Sequence, residues 1–251
     1  MPINSFLTQF IGRQFLHLAV CDSTNAVVMQ KLAADELQNG AIVLADFQTA
    51  GRGQRDARWD AAAGLNLTFT IALFPKLKVQ QQFYLNIITT LALSDCLRTQ
   101  LGEPFKIKWP NDLYYNNHKL SGILIQNNLK VNMIHSCAIG IGINVNQMHF
   151  EKLQATSLKA ITKSTWDKQA LLKDIAIKFE ERYYQLQAGE LLTLKEEYLS
   201  QLYWLDEWHS FEDGRGVFRG KIYGLSDEGE LLVKRERELK KYYFKEISYL
   251  Q

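Results

Sequence analysis

The chain is expected to fold as an α+β protein with a mixed, mainly antiparallel sheet, followed by a small β-rich unit. Three observations carry this. Leu65, Leu67, Phe69, Ile71 and Leu73 alternate with Asn66, Thr68, Thr70 and Ala72, the period-two pattern of a strand. Two long segments, 81–101 and 167–187, place apolar residues at helical spacing, with Phe83, Ile87, Leu91 and Leu97 in the first and Leu171, Ile175, Phe179, Tyr183 and Leu186 in the second. Beyond residue 205, Gly214, Gly216, Gly220, Gly224 and Gly229 punctuate short β-rich pieces.

The elements follow in order. Ser23-Thr24-Asn25 caps a helix that carries Val27, Val28, Leu32 and Leu37 and is stopped by Asn39-Gly40. Residues 41–46 read as a buried strand, 65–73 as the alternating strand and 81–101 as a long helix. Strand-like runs follow at 105–108, 113–115, 120–126 and 131–143, with a hairpin turn at Asn116-Asn117-His118. A helix at 167–187 and a second at 190–203 precede β pieces at 217–225, 231–234 and 242–244. The texture changes near Leu205, which divides the chain into a main domain, 1–205, and a small barrel-like domain, 206–251.

Composition narrows the class. With 251 residues, 47% hydrophobic and 22% charged, the chain can bury a sizeable core, which excludes bulk disorder. A net charge of +2 is too balanced for nucleic acid held by bulk charge. The run from Lys234 to Lys241 is locally basic, but Glu236 and Glu238 interrupt it, as on a solvated strand and turn. Cys21, Cys96 and Cys137 form no C-x-x-C pair, and the five histidines are scattered, so neither a disulfide framework nor a protein-held metal is expected. The start of the chain lacks a signal-peptide pattern and no run approaches ~18 apolar residues, so a cytoplasmic protein without a membrane span is expected.

Five segments can carry chemistry, the first being Ser23-Thr24-Asn25, whose hydroxyls and amide suit a small polar head group as well as the helix cap. Gln48-Thr49-Ala50-Gly51-Arg52-Gly53-Gln54-Arg55-Asp56-Ala57-Arg58-Trp59 combines two glycines, suited to close approach and positive φ, with three arginines and an indole. It can close over a phosphate-bearing ligand, and it also suits an ordinary polar hairpin. It is neither a Walker loop nor a dinucleotide fingerprint. Lys108-Trp109-Pro110-Asn111-Asp112 presents an amide and a carboxylate at a strand start, for a ligand or for the turn itself. Lys119 heads the run Leu120-Ser121-Gly122-Ile123 as a point charge for a pocket or a snorkelling lysine. Gly140-Ile141-Gly142-Ile143-Asn144 admits a ligand against the sheet or forms a bulge.

In their order these segments resemble the biotin protein ligases, over residues 17 to 146. The resemblance implies a catalytic domain of the class II aminoacyl-tRNA synthetase type and an SH3-like C-terminal domain. It implies ATP and Mg²⁺, the metal carried on the ATP phosphates. Biotin would be activated as biotinyl-5′-adenylate, then passed to one lysine of a biotin carboxyl carrier domain in biotin-dependent carboxylases.

By position, Ser23, Thr24, Asn25, Gln48, Gly51, Arg52, Gly53, Gln54, Lys119 and Gly122 would meet biotin, and Arg55, Trp59, Asn111 and Asn144 the adenylate. Lys119, Arg52 and Asp112 would be catalytic. The loop departs from the family's commoner form at Gln54, Asp56 and Ala57, which leaves Arg55 or Arg58 to supply the missing charge.

Only 22 residues precede Ser23, too few for the winged helix-turn-helix of repressor-type members, so a ligase without nucleic acid or membrane as a partner is expected. A monomer and a homodimer both suit the family. The nearest rival, a lipoate or octanoate ligase or transferase, would carry an Arg-Arg-x-Ser-Gly-Gly-Gly stretch, which is absent. A DNA-binding repressor that senses the adenylate is disfavoured by the charge balance.

Overall fold

A computed structural model describes residues 6–54, 58–102, 105–150 and 154–250. Its main sheet contains β1 (Phe15–Cys21), β2 (Ile42–Gln48), β3 (Leu67–Leu73), β4 (Leu77–Lys78), β5 (Phe105–Lys108), β6 (Asp112–Tyr115), β7 (His118–Lys130) and β8 (Met133–Ile143). The strand order is β1-β2-β3-β8-β7-β6-β5, with β4 continuing along β8. Only β1 and β2 run parallel; the other pairs are antiparallel. The helices are α1 (Thr24–Ala33), α2 (Phe83–Leu101), α3 (Leu158–Thr162), α4 (Lys168–Gln187) and α5 (Leu191–Ser200). None of them is long and apolar enough to cross a membrane.

Alternation along the strands gives the sheet two different faces. Phe69, Ile71, Ile139, Ile141, Ile123, Ile107 and Leu113 point to one side and join the large core with α2 and α4. Ala72 and Ala138 point to the other and pack under Val28 and Leu32 of α1. The helix α1 covers only one end of that second face, against β2, β3 and β8. Its first turn therefore faces the uncovered remainder, which becomes the floor of the site.

Several boundaries differ from the sequence expectation for identifiable reasons. β1 was not expected; it is an edge strand with intermediate to exposed residues throughout, so it lacks a buried alternation to read. The first helix ends at Ala33 rather than near Leu37 because Asp35 adopts φ 55°, although Leu37 still packs beneath the helix. Val131 sits at φ 56° in the turn between β7 and β8, so the strand expected from 131 begins at Met133. β7 is correspondingly longer than 120–126.

A second, five-stranded antiparallel sheet follows, made of β9 (Trp208–Asp213), β10 (Gly216–Leu225), β11 (Leu231–Lys234), β12 (Leu239–Tyr242) and β13 (Ile247–Leu250), ordered β12-β11-β10-β9-β13. β9 and β13 were not expected, and the piece expected at 242–244 lies mostly beyond β12. The basic run lies at the hairpin of β11 and β12, where Arg235 and Lys240 pair with buried Asp213 and Lys241 with Glu230.

The two sheets share one continuous core. The Trp109 indole donates to the Gly229 carbonyl at 3.0 Å and lies 5.2 Å from the Phe244 ring. Phe83 packs on Phe244 and Tyr198, and the Tyr198 hydroxyl donates to the Pro110 carbonyl at 3.0 Å. The second sheet thus braces the turn from which Asn111 and Asp112 emerge.

Gly229, at φ 88°, is pressed directly on the Phe83 ring, with no room for a Cβ. Gly229→Ala should therefore cost about 3 kcal/mol from strain and overpacking, or roughly 6–12 °C in thermal melting. An unchanged melting temperature would show that this joint does not brace the fold.

Candidate active site

The uncovered face encloses a cavity of about 280 Å³ between the first turn of α1, the loop residues 52–54 and 58–59, and strands β3, β8, β7 and β6. Its floor follows from strand register. Thr70 pairs with Gly140 and Gly140 with Leu124, while Thr68 pairs with Gly142 and Gly142 with Gly122. Small residues in both rows keep the backbone accessible where every neighbouring strand is paired.

A polar end is built by α1. Gln48 Oε1 accepts from the Thr24 amide at 2.7 Å and from the Thr24 hydroxyl at 3.0 Å. The fully buried Thr70 hydroxyl lies 2.8 Å from Thr24 Oγ1 and 2.7 Å from Asn25 Oδ1. Asn25 Nδ2 donates to the Leu124 carbonyl at 3.0 Å and to Gln126 Oε1 at 3.1 Å. Its side chain lies directly over Gly140, where a Cβ would collide with it. Ser23 is the N-cap residue of α1, but its hydroxyl makes no capping bond, and it lines the cavity beside Thr24.

The opposite end is charged. Lys119 Nζ lies 2.7 Å from Asp112 Oδ2, above Gly122. By plain alternation Lys119 and Gly122, three residues apart, would point to opposite faces. The register slips between Leu113 and Tyr114: Ser121 opposes Leu113, while Lys119 opposes Tyr114. Leu120 is the extra residue of this bulge, which turns Lys119 onto the cavity face. Asn111 donates its side-chain amide to the Ile123 carbonyl, and its carbonyl accepts from the Ile123 amide, fixing the start of β6.

The loop forms the roof. Arg52 and Arg58 face each other in an isolated bridge, the Trp59 amide donates to the Gly51 carbonyl at 3.0 Å, and Arg58 Nη2 donates to the Thr49 carbonyl at 3.1 Å. The Trp59 indole rests on Gly142, and its buried Nε1 has no partner among the described residues. The expectation of positive φ is corrected at Gly51, which is not left-handed. Gly51 is needed instead because a Cβ there would sit 2.5 Å from the Trp59 carbonyl oxygen.

Of the expected residues, Ser23, Thr24, Asn25, Gln48, Arg52, Gly53, Gln54, Trp59, Asn111, Asp112, Lys119 and Gly122 line one cavity. Gly51 stands behind it. Asn144 is buried just past β8 and off the lining, its amide donating to the Leu120 carbonyl at 3.0 Å and its carbonyl accepting from Leu158. Arg55 lies outside the described residues. Arg58, one of the two arginines expected to supply the missing loop charge, and Gly140, from the segment expected to admit a ligand, also line the cavity; Thr68 lines it without having been expected, and Thr70 supports it from beneath. Thr68 and Thr70 had a legible signal, since a hydroxyl on the polar side of a strand flanked by two others needs an internal partner.

The profile of the Biotin/lipoate A/B protein ligase family matches residues 17–144, just over half of the chain. The chain belongs to that family. Its relatives include the bifunctional ligase/repressor BirA of Bacillus subtilis (strain 168), 30% identical over 246 residues that cover 96% of this chain and 75% of that protein. The biotin–[acetyl-CoA-carboxylase] ligase of Paracoccus denitrificans is 29% identical over 225 residues, covering 86% and 92%. The biotin protein ligase from Aquifex aeolicus in complex with biotin and ATP superposes with a TM-score of 0.78 at 29% identity, covering 94% of this chain and 98% of that one.

Gly142→Ala should lift the Trp59 indole off the floor at a cost of about 1–3 kcal/mol. Greater quenching of Trp59 fluorescence by acrylamide, assigned with a Trp59→Phe control, is the expected result. Unaltered quenching would mean that the indole is not seated there.

Proposed function

We propose that this chain activates biotin with ATP as biotinyl-5′-adenylate and transfers the biotin to a lysine of a biotin carboxyl carrier domain. The observation that carries this is a single cavity with a neutral hydrogen-bonding end at Asn25 and a cationic end at Lys119, roofed by arginines. A relative named as a bifunctional ligase/repressor aligns along 96% of the chain, and one named as a biotin–[acetyl-CoA-carboxylase] ligase along 86%.

In this reading Ser23, Thr24, Asn25 and Gln48 hold the polar head of biotin, and the small floor accepts its apolar body. The biotin carboxylate then lies toward Lys119. Joining it to the α-phosphate of ATP brings two anions together, and charge grows on the phosphate oxygens as pyrophosphate leaves. Lys119, Arg52 and Arg58 answer that charge from fixed positions. Among the described residues Asp112 is the one carboxylate lining the cavity, and no group of three or more His, Cys, Asp or Glu can hold a metal. That donor set suits Mg²⁺ carried on the triphosphate, where it would neutralise phosphate charge. Trp59 and Asn111 belong to the nucleotide end, and the loop shields the mixed anhydride from water.

The same reading takes residues 1–205 as a catalytic domain of the class II aminoacyl-tRNA synthetase type and 206–251 as an SH3-like domain. The change of sheet after Trp204 and Asp206, both at positive φ, supports the division.

Incubation with a carrier domain, ATP, Mg²⁺, biotin and lipoate together should add one biotin to the carrier, read by intact mass. A lipoyl addition, or none with either acid, would overturn the reading. Lys119→Ala and Arg52→Ala should each slow adenylate formation by about 10²–10³. Unchanged pyrophosphate release from both would overturn their assignment.

A further inference from the structure

Asp112 is flanked on both sides by lysine. Across β7 it meets Lys119, which lines the cavity. Across β5 it directly opposes Lys108 in the β5–β6 register, so the two side chains share the cavity face of the sheet. Lys108 does not line the cavity. Its Nζ lies 4.9 Å above the Tyr114 ring and 4.8 Å from the Tyr249 ring, and 3.4 Å from the Tyr114 hydroxyl. Tyr249 belongs to β13, so the second sheet supplies half of this cage. Tyr249 in turn packs on Trp204 and Phe211 at 5.4 and 5.3 Å, which anchors it.

The two lysines differ in freedom. Lys119 reaches into the cavity and can turn from Asp112 to an anionic ligand. Lys108 is held between rings, bonds the Tyr114 hydroxyl, and acts on Asp112 through space across the β5–β6 register rather than by a direct ion pair. Burial pushes the Lys108 amine below its ordinary range; Asp112 opposes that shift and Lys119 adds to it. An amine kept in so apolar a cage draws its charge stabilisation from ring faces and from the opposed carboxylate.

We propose that Lys108 is a positioning residue for the transfer half of the reaction, holding the Asp112 carboxylate in place once Lys119 has turned to the ligand anion. The inference rests on the ligase reading above. In that step the acceptor lysine nitrogen attacks the acyl carbon of the adenylate. A C–N bond forms, the bond from acyl carbon to phosphate oxygen breaks, AMP leaves with the electron pair, and the amine proton passes to Asp112. Without its second lysine Asp112 loses its fixed orientation at the moment the amine arrives. Adenylate formation, which uses Lys119 and the loop, does not draw on it.

The test separates the half-reactions in the full chain. Pyrophosphate release without acceptor reports adenylate formation, and intact mass of the carrier domain in single turnovers reports transfer. Lys108→Met should slow transfer at least about tenfold more than adenylate formation, in kcat rather than in KM for the carrier. Lys108→Arg, which keeps charge and ring contacts, should restore most of the loss. Equal loss in both halves, a loss confined to KM, or no recovery with arginine would overturn the proposal.

Should Lys108→Met not fold, Tyr249→Leu opens the cage while leaving the lysine. A selective slowing of transfer supports the proposal, and unaltered transfer overturns it. Wild-type protein that forms no biotinyl-adenylate would overturn the ligase reading itself, a failure distinct from these.

Discussion

The site depends on a sheet face whose central strand carries glycine in both rows across β3, β8 and β7, and the space over Gly140 and Gly142 is taken by Asn25 and Trp59. A strand interior is normally a poor place for glycine. Here the cost is offset because the opposite face of the same strands carries Phe69, Ile139 and Ile141 into a core shared with α2 and α4. One face holds the fold together, which leaves the other free to be shaped around a ligand.

Charge is distributed in keeping with this division. The α1 end of the cavity is neutral and ordered by hydrogen bonds among Thr24, Asn25, Gln48 and Thr70. A polar group buried there without a partner would cost about 1–3 kcal/mol, so a ligand has to match these groups as a set. The β6–β7 end is ionic and partly open, with Lys119 and Asp112 side chains 28% and 22% exposed. A ligand with a neutral polar head and an acidic tail fits that polarity in one orientation. The second sheet enters through the same region, since Trp109 ties it to the turn before Asp112 and Tyr249 closes on Lys108.

Much of this was legible in the sequence because it is local. Period-two and helical patterns located β3, α2, α4 and the α+β class, and the segments around Thr24, Arg52, Asp112, Lys119 and Gly142 marked the site before any geometry. The edge strands were less visible. β1 and β13 lack a consistently buried side, and a strand paired on one flank only need not alternate. For Thr70 the strand pattern shows that its hydroxyl needs an internal partner, but the partners, Thr24 and Asn25, lie on a helix distant in sequence.

By itself, then, the sequence determined which residue types lie in which strand and helix, since backbone sterics and side-chain periodicity act over a few residues. The tertiary structure alone decided which faces those residues share. The clearest instance is Leu120: one unpaired residue in the β6–β7 ladder reverses the alternation and brings Lys119 over Gly122. The opposition of Lys108 to Asp112 and the closure of Tyr249 on the lysine are likewise matters of register and of packing between sheets. Register is a property of two strands together, so one strand read alone cannot contain it.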